Sequence, residues 1–553
     1  MNSRKFISKL LPIAVSAMTL LSGSAFAQRE ECTSAVLAPA ATESGAPVLW
    51  KNRDTNTLSN RVVFVAEQPF AYLALVNADD PSGRRAFAGL NSEGFAIMNT
   101  VAYNLPDVPG EAKDLEGTIM ADALRTCRTV EEFEVYLEAN QGDHLGSLAN
   151  FGVIDGRGGA AIFETHNHGF TRLDVAEKTA GYLVNTNFAR TGEEGEGAGY
   201  LRFERATELF GHFAGAKVPF ETILTRFSRD IGHVLLRRPT WEDMQTATPE
   251  EPVWISTRDS IDRYHTSATV VIEGRRPGVS GSVATMWVIP GEPLCAVAVP
   301  LWVEAGSSPA VLSEGEPDAP MWAESLRIKG LVRPFQEGHK IEYLNLTPLV
   351  NRDGGLRDVL EAREVEILRL TSEFLRDEHT GEEYRTFQGA MSRRAYDALR
   401  SVGGPALETR PLKVGVYAGG GASPVCVTET IAALEIDPGI LPVAVTADDF
   451  DEQRAGEEQQ LFWQLVGDDP EEKASALRML VQMRSRLALR WAEGLLRDSD
   501  PGVRRLAAEV LVEAEYTPAI DDLQAVVRME RDEDLREALQ ENLEALEKIV
   551  AVR

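Results

Sequence analysis

At 553 residues, 44% hydrophobic and 25% charged, the chain is globular in composition and too long for one ordinary core. Its formal net charge of -29 argues against a nucleic-acid or anionic-membrane partner, because most of the surface would repel a polyanion. The four cysteines, Cys32, Cys127, Cys295 and Cys426, show no C-x-x-C or Cys/His metal spacing and no pairing pattern.

The chain opens with a basic start (Arg4, Lys5, Lys9), an apolar run from Leu10 to Leu21 and the small-x-small end Ala25-Phe26-Ala27. This is the layout of a cleavable signal peptide over residues 1–27, and the apolar run is short for a membrane span. Export to the periplasm or beyond is expected, with no membrane attachment after cleavage. Arg29-Glu30-Glu31 is not the small apolar approach that lipidation of Cys32 needs.

From Cys32 to about Ala305, short strand-like runs alternate with turns. Strands are predicted at Thr33–Leu37, Pro47–Lys51, Ala71–Val76, Arg85–Gly89 and Phe95–Val101. Helices follow at Thr118–Cys127 and from the capping box Thr129-Val130-Glu131-Glu132 to about Ala139. Further strands are predicted at Leu148–Ile154, Ala160–Thr165 and Tyr182–Asn185, then helices over Tyr200–Ala214 and Pro219–His233. Ala268–Ile272, Ala284–Ile289 and Ala296–Val303 complete the strands. Strand clusters separated by helices predict an α+β fold of packed sheets covered by helices, not a parallel βαβ fold. Cys127, in a helical pattern, and Cys295, in an apolar run, read as small buried hydrophobes. His166 and His168 share a strand face but have no third ligand at recognisable spacing, so no metal site is expected.

Ala305–Ala319 reads as a linker or surface loop, Leu356–Phe374 as an amphipathic helix, and Asp377–Arg410 is polar without a clear period. Leu412–Tyr417, the Gly-rich turn Ala418–Pro424, a helix at Val427–Leu434 and a strand at Leu441–Val445 form a small α/β segment; without a P-loop lysine the turn reads as structural. Near the C-terminus, Asp469-Pro470-Glu471-Glu472-Lys473, Asp500-Pro501-Gly502-Val503-Arg504 and Asp532-Glu533-Asp534-Leu535-Arg536 recur at intervals of 31 and 32 residues, each opening a helix. The pattern resembles HEAT-type repeats, whose helix pairs must stack to bury their apolar faces. Such an array serves either as a protein-binding surface or as a cap on the preceding domain.

Cys32 carries the chemistry. Once the residues before it are removed, one residue supplies both a thiol nucleophile and an α-amino base whose reference pKa is near 8. Position alone would favour a structural cysteine; its neighbours change that balance. Cys32-Thr33-Ser34, Trp50-Lys51-Asn52-Arg53-Asp54, the run Gly89–Asn99, Leu183–Phe188 and Tyr200-Leu201-Arg202-Phe203-Glu204-Arg205 together resemble the N-terminal nucleophile (Ntn) hydrolases. Among these the chain is most similar to the isopenicillin-N acyltransferase-like family (peptidase C45), with bile-salt hydrolases and penicillin V acylases more distant.

The resemblance implies an αββα sandwich, autoproteolysis between Glu31 and Cys32, and attack on a linear amide C–N bond without metal or organic cofactor. It assigns Cys32 as nucleophile, Asp54 as the acid holding its amino group, and Asn99 and Asn187 as oxyanion donors, with Asn91 and Asn185 as rivals. Uncharged amides suit that role because they stabilise developing negative charge without neutralising the nucleophile. Arg202 matches a substrate-side arginine, with Arg205 one turn on as its rival, and Arg53 is the second substrate-side candidate, two residues beyond Lys51, which stands where the bile-salt branch has an arginine. The implied organisation is a propeptide at 28–31, the hydrolase domain at 32–305, a linker and helical extension at 306–410, the small α/β segment at 411–450 and HEAT-like repeats at 455–553. The expected protein is an exported, periplasmic or secreted, amidohydrolase or acyltransferase for an N-acylated small molecule or peptide. Its alternatives are a C69-like dipeptidase and an inert scaffold that works through the repeats.

Overall fold

The computed structural model describes residues 31–213, 215–236, 238–239, 247–249, 252–335, 338–350, 355–402, 461, 464–465, 469–482, 487–498, 500–514, 516–530 and 532–552. The signal peptide, the propeptide up to residue 30, the small α/β segment and Cys426 fall outside these residues.

Strands β1 (Glu31–Leu37), β2 (Val48–Asp54), β3 (Asn60–Val65), β4 (Tyr72–Asn77), β5 (Ala88–Asn91) and β6 (Ala96–Val101) open the fold. They are followed by β7 (Leu148–Ile154), β8 (Ala160–His166), β9 (Gly169–Asp174) and β10 (Tyr182–Asn185). Beyond them lie β11 (Trp254–Ser256), β12 (Thr266–Glu273), β13 (Thr285–Pro290), β14 (Val299–Leu301) and β15 (Tyr343–Asn345). β3 to β9 form a seven-stranded antiparallel meander, and the second large sheet has six strands in the order β10-β1-β2-β12-β13-β14. β11 and β15 form a separate pair.

Alternation within the strands builds the layers. In β6, Ala96 and Met98 join the interior core, whereas Ile97 and the preceding Phe95 join a second core with Phe133, Phe151 and Phe163. That second core is covered by α1 (Glu116–Thr126) and α2 (Val130–Asn140), the latter capped by Thr129 Oγ1, which accepts from the Glu132 N–H. On the six-stranded sheet, Trp50 packs on Phe210 of α3 (Tyr200–Gly211) and on Phe227 beyond the short α4 (Phe220–Thr225). Helices therefore cover both sheets, giving an αββα sandwich. Strands buried on both faces read as continuous apolar runs, as in Val270-Val271-Ile272, each 0% exposed.

Several elements differ from expectation. β3 and β9 were not anticipated; β9 is half-buried along its whole length, an edge strand without alternation. The helix predicted to reach His233 stops at Thr225, and the run Ala296–Val303 supplies only the short β14. Beyond residue 305 the helical extension includes the expected helix: α5 (Pro320–Val332), α6 (Leu356–Phe374) and α7 (Gly381–Ser401) bury Trp322, Ile328, Leu360, Ile367 and Leu399 in the same core as the sheets, and Leu312 and Ala319 of the run read as a linker or surface loop join them. Buried ion pairs fasten this extension, Arg229 to Glu364 at 2.6 Å and Arg333 to Glu292 at 2.7 Å. The sandwich core thus runs to Val402.

Five helices among the described C-terminal residues, at Pro470–Gln482, Leu487–Leu495, Pro501–Glu513, Ile520–Met529 and Glu533–Val552, stack around Leu477, Trp491, Leu511, Leu523 and Leu539. The Asp500 side chain caps its helix by accepting from the N–H groups of Gly502 and Val503, as its repeat position predicts. The same apolar cluster includes Tyr200, Leu201, Leu235 and Leu236. The array is therefore docked on the sandwich through the first turn of α3.

Candidate active site

Cys32 is the second residue of β1 and is 6% exposed. Its cross-strand partner on β2 is Arg53, while Glu31 pairs with Asp54. Paired residues share a face, so Cys32, Ser34, Lys51 and Arg53 line one side of the sheet and Glu31, Thr33, Asn52 and Asp54 the other.

Two side chains fix the Cys32 backbone. Asn187 Oδ1 accepts the Cys32 N–H at 2.9 Å, and Arg202 Nη1 donates to the Cys32 carbonyl at 2.7 Å and to Thr33 Oγ1 at 2.9 Å. Asn187 is itself anchored, its Nδ2 donating to the Val101 carbonyl at 2.9 Å and its Oδ1 also accepting from Arg202 Nη2 at 2.9 Å. Arg202 lies on the buried face of α3, whose N-cap is Gly199. Gly199 has φ 82°, and a Cβ there would come within 2.5 Å of Arg202 Nη2, so a larger residue would displace the guanidinium.

Asp54 accepts from Arg263 Nε at 2.8 Å and from Thr266 Oγ1 at 2.8 Å. Thr266 sits where the β12–β2 register shifts: it pairs with Asp54 while Ala268 pairs with Arg53, leaving Ser267 as the extra residue of a bulge. Burial pushes the Asp54 carboxyl upward, and Arg263, Arg202 and Thr266 pull it back only in part. Burial also works against the Glu31 carboxylate, but there Arg263 and Arg202 prevail and hold it down at about 2.

On the facing sheet, Asn99 Oδ1 accepts from Lys51 Nζ at 2.8 Å, and Lys51 also donates to the Phe87 carbonyl at 3.0 Å. This bridge between the sheets commits the oxygen end of the Asn99 amide. Among the described residues the Asn99 Nδ2 has no hydrogen-bond partner, which leaves it as a donor.

The rivals take other places. Asn91 Nδ2 donates to the carbonyls of Leu124 and Cys127, closing the end of α1. Asn185 Oδ1 accepts from Arg190, and Arg205 forms a buried two-pronged pair with Asp230 at 2.9 and 2.8 Å. Arg53, the cross-strand partner of Cys32, bonds Asn60 and lies 3.5 Å from the centroid of the Phe87 ring. Cys127 and Cys295 are free and buried, with both thiols pushed upward by burial. His168 Nε2 meets Glu111 at 2.6 Å, and Asp143 stands near enough for these three to offer ligand atoms within 4.8 Å of one another at the surface. His166 is not part of that group.

Arg263 was missed in the sequence. It approaches Asp54 from 209 positions along the chain, in the segment just before β12, and no local pattern marks it. Lys51 was noticed only as a departure from an expected arginine.

Comparison with known proteins adds the following. The HEAT-repeat family matches residues 458–544. No curated protein matches the chain. Among solved structures, the chain is similar to conjugated bile acid hydrolase from Clostridium perfringens, with 14% identity and a TM-score of 0.27 over 47% of this chain and 89% of the other. It is similar to the Caenorhabditis elegans ortholog of N-acylethanolamine-hydrolyzing acid amidase, with 14% identity and a TM-score of 0.29 over 45% and 95%. Penicillin V acylase from Agrobacterium tumefaciens gives 14% identity and a TM-score of 0.29 over 49% and 86%.

Proposed function

We propose that the protein is an exported cysteine amidohydrolase of the N-terminal nucleophile type, activated by cleavage of its own Glu31–Cys32 bond. One observation carries this reading: Cys32 N–H and C=O are gripped by Asn187 at 2.9 Å and Arg202 at 2.7 Å, with the buried Asp54–Arg263 pair held against the residue before it. An ordinary core cysteine has no use for two buried arginines, a buried carboxylate and an anchored amide around its backbone.

In self-cleavage the Cys32 thiol gives up its proton as its sulfur adds to the Glu31 carbonyl, the peptide C–N bond breaks, and the nitrogen takes that proton and leaves as the Cys32 amine. Water then hydrolyses the thioester, freeing a chain that ends at Glu31 and a chain that begins at Cys32. The new amine lies beside Asn187 Oδ1, which already accepts from that nitrogen. It takes the thiol proton and later delivers it to the leaving amine of a substrate amide. Asn99, with Lys51 holding its oxygen, offers its Nδ2 to the tetrahedral oxyanion. Release of the acyl group to water gives hydrolysis, and release to an amine gives transfer.

The testing experiment compares the purified protein with its Cys32→Ala variant on a panel of N-acyl amino acids, dipeptides and acyl amides. Hydrolysis by the parent and none by the variant is expected; equal hydrolysis by both removes Cys32 from the chemistry. Activity confined to dipeptides would replace the amidase reading with a dipeptidase.

A further inference from the structure

Glu31 is the residue that the proposed cleavage removes, and its carboxylate already fills a built anion site. Arg202 Nη2 donates to Glu31 Oε2 at 2.7 Å, and Arg263 Nη2 lies 3.1 Å from the same oxygen. The two arginine side chains are 1% and 9% exposed, and Glu31 itself is 23% exposed, so the fork is deep and its mouth open. Arg202 is also bonded to Cys32 O, Thr33 and Asn187, and Arg263 to Asp54 and the Arg258 carbonyl, while Arg202 Nε is buried without a hydrogen-bond partner among the described residues. Those bonds do not involve the Glu31 side chain, so the fork keeps its shape when Glu31 leaves.

Charge gives the consequence. Before cleavage, Arg202 and Arg263 face two carboxylates, Glu31 and Asp54. Cleavage removes one carboxylate and creates an amine, so nothing replaces the lost negative charge. Arg263 keeps Asp54, but Arg202, 1% exposed, loses its carboxylate; a buried cation left uncompensated is unfavourable, and an incoming anion relieves it.

Position gives the ligand. In self-cleavage Glu31 is the acyl part, its carbonyl attacked by the Cys32 sulfur and its side chain running to the fork. A substrate carbonyl must come to the same sulfur, and its acyl chain then has the path that Glu31 vacated. In a glutamyl residue three carbons separate carbonyl from carboxylate. We propose that the mature site takes amides of a glutarate-type acyl group, with the terminal carboxylate held between Arg202 and Arg263. This rests on the cysteine-amidohydrolase reading above. The thiolate adds to the amide carbonyl, the C–N bond breaks, and the amine departs with the proton carried by the Cys32 ammonium. Water then splits the glutaryl thioester into the free dicarboxylate and the regenerated thiol.

The test measures kcat/KM for the chromogenic anilide of glutarate against the anilide of the same length ending in a neutral carboxamide, with succinyl and adipyl anilides for chain length. A preference of about tenfold or more for the glutarate compound over each of the others is expected. Free glutarate is also titrated into the mature protein and into the uncleaved Cys32→Ala variant, in which Glu31 still fills the fork; only the mature protein is expected to bind. Self-cleavage and amide turnover with no preference for the carboxylate, or equal glutarate binding by both proteins, overturn the subsite and leave the hydrolase standing. Absence of both self-cleavage and turnover on every amide overturns the hydrolase and the subsite together.

Discussion

Replacing Arg263 by Met in a Cys32→Ala background, where every chain keeps Glu31, isolates the charge lock behind the nucleophile. Asp54 is 0% exposed on its side chain and Arg263 is 9% exposed. The substitution leaves Asp54 with the Thr266 hydroxyl and without its cation. Breaking a buried pair in this way costs about 3–5 kcal/mol. At roughly 1–2 °C per kcal/mol for a unit of this size, Tm falls by about 3–10 °C. The loss depends on pH with a definite sign. Burial raises the Asp54 carboxyl above its unfolded value even with Arg263 present, and removing the cation raises it further. The orphaned group is therefore protonated and tolerated at low pH, and the variant weakens as pH rises through its folded pKa. Adding Asp54→Asn removes the stranded charge, so the double variant is expected to be more stable than Arg263→Met alone by about 2 kcal/mol near neutral pH. Thermal unfolding followed by circular dichroism at about pH 5 and about pH 8 reads all three effects. A single variant as stable as its parent, or a double variant whose loss is the sum of the two singles, refutes the charge-lock reasoning.

Further expectations concern other parts of the molecule. Lys51→Met frees the Asn99 amide to rotate, and kcat is expected to fall by about 10²–10³-fold with little change in folding, as for loss of an oxyanion donor; unchanged kcat would remove Asn99 from that role. Asn187→Ala removes the acceptor for the Cys32 nitrogen, so intact-mass measurement should find the uncleaved precursor persisting for much longer than in the parent. Glu273 is pushed up to about 7 by burial, Ser44 and Arg276 opposing and Glu221 adding to the rise. A folded pKa above the unfolded value gives stability that is complete below about 4.5 and lost as pH rises through about 7, so the Tm advantage of Glu273→Gln over the parent should grow across that window. Deleting the array from residue 458 strips the cover from Tyr200, Leu201, Leu235 and Leu236, and a lower Tm for the sandwich is expected, whereas an independent appendage would leave it unchanged.

The sandwich was legible where strands are buried on both faces and bounded by turns, as in β6, β7 and β12. It was not legible at α7, where polar Gln388 and Ser392 interrupt the buried stripe of Tyr384, Met391, Ala395, Ala398 and Leu399. The capping box of that helix, with Thr380 Oγ1 accepting from the Glu383 N–H and Glu383 bonding back to the Thr380 N–H, was nonetheless present in the sequence as a start signal. Pro320 at the first position of α5 was another such signal, obscured by the acidic, Gly- and Ser-rich run before it. At the site, Cys32, Asp54, Asn187 and Arg202 were named from short motifs and the fold gathers them around one strand end, but not in the expected roles. Asn187 turns its oxygen to the Cys32 N–H and spends its Nδ2 on the Val101 carbonyl, so it is not placed as an oxyanion donor, and Asp54 bonds Arg263 and Thr266, not the Cys32 nitrogen. Arg263 and the Thr266 bulge were invisible because only the pairing of β12 with β2 delivers them. The choice between Arg202 and Arg205 was equally closed to sequence: three positions apart on one helix, one reaches Cys32 and the other Asp230.

The peptide bond before Cys32 remains the most direct point of test. Intact-mass measurement and N-terminal sequencing of the purified, active protein should find a chain beginning at Cys32, and the Cys32→Ala variant should keep the bond to Glu31. Full amide hydrolysis by a protein in which Glu31 is still joined to Cys32 would contradict the account.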